Sequence, residues 1–600
     1  MPADLTEDAF ESAIVSHLCT ANGYEQGSPR DYDKSTALDT VRLFRFLESS
    51  QPGKMIHDRR NFAEALSSAL NAGGVISLLR KGFTYNHEDF DLYNLPAMPP
   101  GFSVTRQLCY SQENANRLDL CIFLNGIPVI TIELKNSQSG QDVNDAVNQY
   151  RRDRSPGDML FMFRRCLVHF AADCEKVSMC TELKGKVNRG SNGGAGNPPV
   201  SYGYRTAYLW EDVLTRGSLS DIIENYALSD EKRQVFPRWH QLNVVRSLAG
   251  DVMRDGIGRR YLVQHSAGSG KSYSIAWLAC RMAGLEEIDG VVIVTDRRQL
   301  DQQISGTVHD FAQLKTIAER AEDSAGLDRL MRQGKKIIIT TVHKFHYVLE
   351  KMNGAYQGKK YAVIIDEAHS SQNGELASDM RKVIAGAVCM DSEDVINALA
   401  GSRMMPGNAS FFAFTATPKG LTLETFGKKI TGDDGAVKFV PHYVYSMRQA
   451  IEEGFILDVL KYYTPVKTYF TIAKKLEGNP LFRRKSAQRL LKSFAEGHEK
   501  AVRTKAKIIA EHFLAEVIGR RKIGGQARAM IVTDGIKRAL QYYDAVSSVL
   551  ADRGAEFRAI VAFSGTADYH GQEMTERDKG CADVIALEQD ARGQDGYIHT

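Results

Sequence analysis

The chain lacks long apolar runs. In 600 residues none approaches the ~18–20 needed to cross a bilayer. The start, Met1-Pro2-Ala3-Asp4-Leu5-Thr6-Glu7-Asp8, is acidic where a signal peptide would be basic and then apolar. The expectation is a soluble cytoplasmic protein with no membrane partner. Cysteine is sparse: nine residues from Cys19 to Cys581, odd in number and without a Cys-x-x-Cys pair, so neither a disulfide framework nor a zinc site is indicated. An excess of one charge is missing too. With 76 Lys+Arg against 73 Asp+Glu the net charge is +3, which argues neither for nor against nucleic acid. Only local patches could. One runs from Arg483 to Lys522, with twelve basic residues against four glutamates; it reads equally as a solvated helix face or a phosphate-contacting surface. Low complexity is confined to a Gly/Asn/Pro loop, Asn188 to Pro199.

What is present is an ordinary globular composition, 43% hydrophobic and 25% charged, long enough for three to five domains at ~100–200 residues each. Helical spacing marks Leu5 to Leu18 and Val41 to Leu47. A strand-rich block follows from Val104 to Leu134, in which Leu118–Leu124 and Pro128–Leu134 flank Asn125-Gly126, a hairpin signal. A polar helix is expected around Asp142 to Tyr150 and a strand at Cys166 to Ala171. From Tyr261 buried-type strands (261–264, 291–295, 336–341, 361–365, 411–415) alternate with helical stretches, the pattern of a parallel sheet covered on both faces. A strand at Ala529 to Thr533 would open a second lobe.

The run His265-Ser266-Ala267-Gly268-Ser269-Gly270-Lys271-Ser272 lies between an apolar strand and a helix, the setting a phosphate-binding loop requires. The small Gly268, Ser269 and Gly270 let backbone amides turn toward phosphate. Lys271 supplies charge for the outer phosphates of ATP, and the Ser272 hydroxyl can ligate Mg2+. Downstream, apolar Val363-Ile364-Ile365 runs into Asp366-Glu367-Ala368-His369. Asp366 at a strand tip can hold the Mg2+ and Glu367 can polarise the attacking water.

A second constellation lies in the hairpin. Asp119 starts one strand, and Glu133 and Lys135 end the other. A strict two-residue turn at Asn125-Gly126 pairs Asp119 with Ile132 and sends Glu133 to the opposite face. A three-residue loop or a bulge pairs Asp119 with Glu133, and Lys135 then shares their side. Two carboxylates and an ammonium would suit Mg2+-assisted phosphodiester hydrolysis.

The first set of motifs, with Thr415-Ala416-Thr417-Pro418, resembles motifs I, II and III of superfamily 2 helicases and translocases. By that resemblance Arg238 and Gln241 in Arg238-Trp239-His240-Gln241 belong to an adenine-reading Q motif, and Thr295-Asp296-Arg297-Arg298 matches a DNA-contacting motif. Asp119, Glu133 and Lys135 resemble the PD-(D/E)xK nuclease core, with Leu118 in place of its proline. The text around them, continuing through Leu167-Val168-His169-Phe170 to Tyr204-Arg205-Thr206-Ala207-Tyr208-Leu209-Trp210, is similar to the restriction (R, HsdR-type) subunit of type I restriction enzymes. The resemblance implies an α/β chain: a PD-(D/E)xK endonuclease domain over 1–225, a RecA-like motor lobe with the ATP site over 226–450, and an incomplete second lobe over 451–600. It also implies double-stranded DNA as substrate, with modification and specificity subunits as partners. That family often carries Gln-x-x-x-Tyr after the catalytic lysine. Gln149 matches, but Asp153 stands four residues on, and Tyr150, the nearby tyrosine, has the alternative of simple packing. Glu11 is a candidate additional acid, although a surface helix glutamate is the commoner case.

The family's Gln-x-x-Gly-Arg-x-x-Arg segment does not occur after Ala529. The expectation is therefore an amino-terminal portion of a longer subunit that binds ATP but turns it over poorly. Two rivals remain: a helicase or remodeller whose first domain only binds DNA, and a scaffold whose ATP site switches conformation.

Overall fold

The computed structural model describes residues 6–93, 100–136, 140–183, 193–194, 204–295, 318–321, 323–341, 358–366, 407–431, 435–453, 456, 497–520, 528–555, 557–563 and 565–575. Two compact units divide the chain, Met1–Asp458 and Val459–Thr600.

The first unit holds two seven-stranded sheets. The amino-terminal sheet has the order β1 (Glu25–Gln26), β2 (Phe102–Cys109), β3 (Arg117–Leu124), β4 (Ile127–Leu134), β5 (Val168–Ala172), β6 (Val177–Cys180) and β7 (Gly193–Gly194). Strands β2, β3 and β4 form an antiparallel meander, and β5 joins β4 in parallel after the helix α2 (Val143–Arg152). α2 begins at a capping box in which Asp142 and Asp145 satisfy each other's backbone amides. Helix α1 (Glu7–Thr20), capped by Thr6, lays Phe10, Ile14 and Leu18 into the core.

The β3–β4 connection is the two-residue Asn125-Gly126 turn, both residues in the left-handed region (φ +49° and +84°). Leu124 faces Ile127 and Phe123 faces Pro128, then the register shifts and Ile122 faces Ile130. Val129 is the extra residue of a bulge. The apolar cluster that takes Ile127 also takes the consecutive Val129 and Ile130, then Ile132 and Leu134. One residue has been absorbed and the alternation changes phase. Thr131 and Glu133 are thereby placed on the other face, toward α2.

The second sheet is wholly parallel, in the order β10 (Ala318–Arg320), β11 (Ile337–Thr341), β9 (Gly290–Thr295), β12 (Tyr361–Asp366), β13 (Ala409–Thr415), β8 (Arg260–His265) and β14 (Tyr443–Tyr445). Along β9, Val291 and Ile293 enter one apolar cluster and Val292 and Val294 another, so both faces are covered. Helices α3 (Trp239–Asp255) and α4 (Lys271–Ala283) fill the first face, and α5 (Ser324–Arg332) the second. The expected parallel, doubly covered sheet is observed. One apolar cluster runs from Phe10 through β3 and β4 to Trp277 and Phe414, so the two sheets of this unit share a core.

In the second unit α6 (Glu499–His512) packs on α7 (Ile536–Asp552) through Ala506, Ala510, Val546 and Leu550. The strand expected at Ala529–Thr533 is not formed. Met530 and Val532 are 86% and 84% exposed, and without a paired neighbour among the described residues an extended segment gains no ladder. Of the basic stretch, 483–496 and 521–522 lie outside the described residues. The part in α6 is solvated, with Arg503 paired to Glu499 at 2.8 Å. Among the described residues no single helix is long and apolar enough to cross a membrane.

Candidate active site

The bulge carries the register toward facing positions for Asp119 and Glu133, one step beyond the Leu120–Ile132 pair. Asp119 Oδ2 accepts from the Leu134 amide at 2.8 Å, and Oδ1 from Gln107 Nε2 at 3.2 Å. Of the two pairings left open by the sequence, the one that brings the acids together is observed, through a bulge behind a tight turn.

Glu133 is fully buried. Arg154 Nε and Nη2 reach its Oε1 at 2.7 and 2.5 Å, while Oε2 has no hydrogen-bond partner among the described residues. Burial, reinforced by the Asp119 charge, pushes the Glu133 carboxyl up to about 8; Arg154 and Lys135 oppose the shift. Lys135 is mostly covered, its Nζ donating to Leu134 O at 2.9 Å and lying 3.4 Å from Glu7 Oε1. Asp119 and Lys135 thus both lie within electrostatic reach of Glu133.

Glu11, a surface glutamate on base rates, is 3% exposed. Its Oε1 accepts from Arg106 Nε at 2.6 Å and its Oε2 from Gln107 Nε2 at 2.9 Å. Gln107 therefore bridges Glu11 and Asp119, from a left-handed backbone (φ +50°) within a strand, a conformation that costs roughly 1–3 kcal/mol in a non-glycine residue. Gln149 is half-buried on α2. Tyr150 is buried, its hydroxyl 2.8 Å from Thr131 Oγ1, which also meets His169 Nδ1 at 2.7 Å; it packs against β4, near enough to Glu133 to feel its charge. Burial holds His169 down at about 4. Sequence reasoning missed Arg154 and Gln107. Neither stands in a recognisable spacing, and an arginine after a helix end gives no sign that it will be buried.

The glycine-loop constellation forms at the carboxyl ends of β8, β12 and β13, where ligands sit in open parallel sheets. Gly268 and Gly270 have φ of +75° and +78°, and a Cβ on Gly270 would stand 2.4 Å from Gln241 Nε2. Lys271 opens α4 with its Nζ 3.8 Å from Asp366 Oδ1 at the tip of β12. Burial draws the Lys271 ammonium below its ordinary value, against the pull of Asp366. Ser272 is half-buried beside it in the first turn. Gln241 is engaged within the chain: Nε2 donates to Gly270 O at 3.0 Å, and Oε1 accepts from the Arg238 amide at 3.0 Å. It ties the start of α3 to the loop. His265, where the strict motif has glycine, is buried with Nδ1 3.3 Å from Ser269 Oγ. Thr415 is buried at the end of β13. Glu367, His369 and Asp296 to Arg298 lie outside the described residues.

Both donor sets fit the groups they would hold. Asp119 and the unpartnered Oε2 of Glu133 are hard oxygen ligands of the kind Mg2+ takes. The glycine loop, with no room for a Cβ at Gly270, leaves its backbone free to approach phosphate.

Residues 4–188 match the family described as type I restriction enzyme R protein N terminus, and 240–391 the SWI2/SNF2 ATPase family. The endonuclease subunit of a type I restriction enzyme from Staphylococcus saprophyticus is 22% identical over 592 residues, covering 95% of this chain and 58% of the relative. The HindI endonuclease subunit of Haemophilus influenzae, also type I, is 24% identical over 382 residues, covering 58% of this chain and 33% of the relative. The chain therefore spans little more than half the length of the curated relatives it matches. A SWI2/SNF2 ATPase core of Sulfolobus solfataricus solved with double-stranded DNA aligns at 14% identity over 33% of this chain and 34% of its own, with a TM-score of 0.22, too low to bear on the fold. An amino-terminal part that matches the type I restriction enzyme R protein N terminus thus runs into one that matches the SWI2/SNF2 ATPase family, and in this order of parts the chain is similar to the R (HsdR-type) subunits of type I restriction enzymes.

Proposed function

We propose that the chain supplies ATP-driven translocation of double-stranded DNA and Mg2+-dependent endonucleolytic cleavage to a type I restriction complex. The observation that supports this most directly is the bulge at Val129. It carries Glu133 toward Asp119 across β3 and β4, with Asp119 and Lys135 both near enough to act on the Glu133 charge, in the same compact unit as the Lys271–Asp366 loop.

In this reading Asp119 and Glu133 hold Mg2+, which when bound polarises the scissile phosphodiester and makes a water nucleophilic at neutral pH. Lys135 orients that water or stabilises the negative charge that develops on the phosphate oxygens. Gln149 lies on the neighbouring helix as an auxiliary group. At the other constellation the amides of Gly268 to Ser272 cradle ATP, Lys271 meets its outer phosphates, Ser272 and Asp366 hold the accompanying Mg2+, and Glu367 polarises the attacking water. Arg238 and Gln241 border the nucleotide. A motor that grips the phosphate backbone needs no sequence preference of its own. Target choice therefore falls to the modification and specificity subunits.

The test is cleavage of circular plasmid with Mg2+ and ATP, with and without those partner subunits. Cleavage should require both cofactors and the partners, and should be lost in Lys135→Ala and in Lys271→Ala. Lys271→Ala alone should also abolish translocation. Undiminished cutting by Lys135→Ala would leave a motor whose first domain only binds DNA.

A further inference from the structure

Arg154 belongs to no motif considered above, yet it is 4% exposed and fixed on several sides. It follows α2 by two residues, in a turn that Asn116 Nδ2 ties to β3 through Asp153 O at 3.3 Å. Its Nε and Nη2 converge on Oε1 of Glu133 at 2.7 and 2.5 Å. Nη2 also donates to Arg117 O at 2.6 Å, Nη1 to Tyr110 Oη at 3.3 Å, and the Tyr110 ring lies 5.3 Å beneath the guanidinium. Glu133 Oε1 is held by this fork, while Oε2 is buried and has no hydrogen-bond partner among the described residues.

A carboxylate held by one oxygen and free at the other is a ligand whose orientation is set before the cation arrives. We propose that Arg154 is a positioning residue for the nuclease cation site, fixing Glu133 through Oε1 so that Oε2 serves as a single, preoriented ligand beside Asp119. This rests on the nuclease reading above. Groups that orient a metal-ligating carboxylate typically contribute 10–100-fold to metal affinity. The planar guanidinium suits the task because it can meet Glu133, Arg117 O and Tyr110 together, whereas a lysine keeps the charge but has no fixed fork. The ordering is therefore arginine above lysine above an uncharged side chain.

Mn2+ is the probe, titrated into the nucleotide-free 600-residue chain by calorimetry or by the electron-spin signal of free Mn2+. The wild type should bind it in a manner abolished by Glu133→Gln. Arg154→Lys should weaken that binding on the order of tenfold and Arg154→Met on the order of a hundredfold, both with unchanged affinity for an ATP analogue. In the assembled enzyme the half-saturating Mg2+ concentration for cleavage should rise in the same order, with a smaller fall in the rate at saturating Mg2+. A buried arginine with a purely structural role would not separate those two quantities.

Equal or tighter Mn2+ binding by Arg154→Met would overturn the proposal, since the guanidinium would then compete with the cation. If that variant does not fold, Arg154→Lys decides in the same way. If wild type and Glu133→Gln bind Mn2+ alike, the nuclease reading itself fails, a result distinct from an Arg154 effect that is merely absent.

Discussion

Glu133→Ala is the obvious variant for a nuclease test, and the structure predicts that it does more than remove a ligand. The Glu133 and Arg154 side chains are 0% and 3% exposed. Removing the acid leaves a guanidinium in the interior facing an empty space. Breaking a buried pair from one side costs ~3–5 kcal/mol, a large share of a domain's usual ~5–15 kcal/mol. Glu133→Gln keeps an oxygen acceptor for Arg154 and should cost about 1–2 kcal/mol. The joint replacement Glu133→Leu with Arg154→Met removes both charges at similar volume and should recover stability to near the wild type. Because the chain has two units, a single unfolding midpoint would mix them. The suitable assay is hydrogen exchange by mass spectrometry along a urea series, read on peptides from β3 and β4. The expected order of protection is wild type and the joint variant highest, Glu133→Gln below, Glu133→Ala lowest. Wild-type protection in Glu133→Ala would refute the buried pair, and with it the geometry on which the proposed cation site rests. It follows that loss of cutting in Glu133→Ala alone does not separate lost chemistry from lost fold.

Three further outcomes follow from the same geometry. Gly126→Ala places a Cβ 2.4 Å from Asp39 O at a φ of +84° and should destabilise the amino-terminal sheet by roughly 2–5 kcal/mol; Gly53→Ala, with nothing within 4 Å, is the control, and equal urea midpoints for the two would contradict the packed turn. His169 is held at about 4 by burial, so its neutral form is favoured in the fold. Its contribution is complete above the ordinary value near 6.5 and is lost as pH falls toward 4, on the order of 3 kcal/mol; His169→Gln should flatten the dependence of urea stability on pH across that window, and an unchanged slope would count against it. Lys271→Ala should weaken a fluorescent ATP analogue by roughly 10–150-fold, the equivalent of a charged hydrogen bond, while leaving Mn2+ binding at Glu133 intact; loss of both would mean the variant is misfolded.

The two constellations differed in how much of them the sequence could display. The geometry of the glycine loop was readable because it is local: Gly268 to Ser272 are contiguous, and the left-handed glycines and the lysine that opens α4 belong to one turn. Asp366 was readable because it ends an apolar strand. The hairpin acids were readable as candidates only. Arg154 and Gln107 were silent, since each acquires its role from partners distant in the chain, Glu133 for one and Glu11 with Asp119 for the other. The strand expected at Ala529–Thr533 had the composition of one, but a strand also requires a neighbour to pair with.

The sequence alone therefore determined the parallel alternation of strands and helices, the glycine turn that opens α4 with the acid that ends β12, and the presence of a hairpin at Asn125-Gly126. Tertiary structure decided which way Glu133 faces. Every residue of β4 is buried, and although Ile130-Thr131-Ile132-Glu133-Leu134 alternates, the run Ile127-Pro128-Val129-Ile130 before it gives no sign of where the phase changes relative to β3. The single extra residue at Val129, fixed by packing on both faces, turns the carboxylate away from the apolar core and toward Asp119.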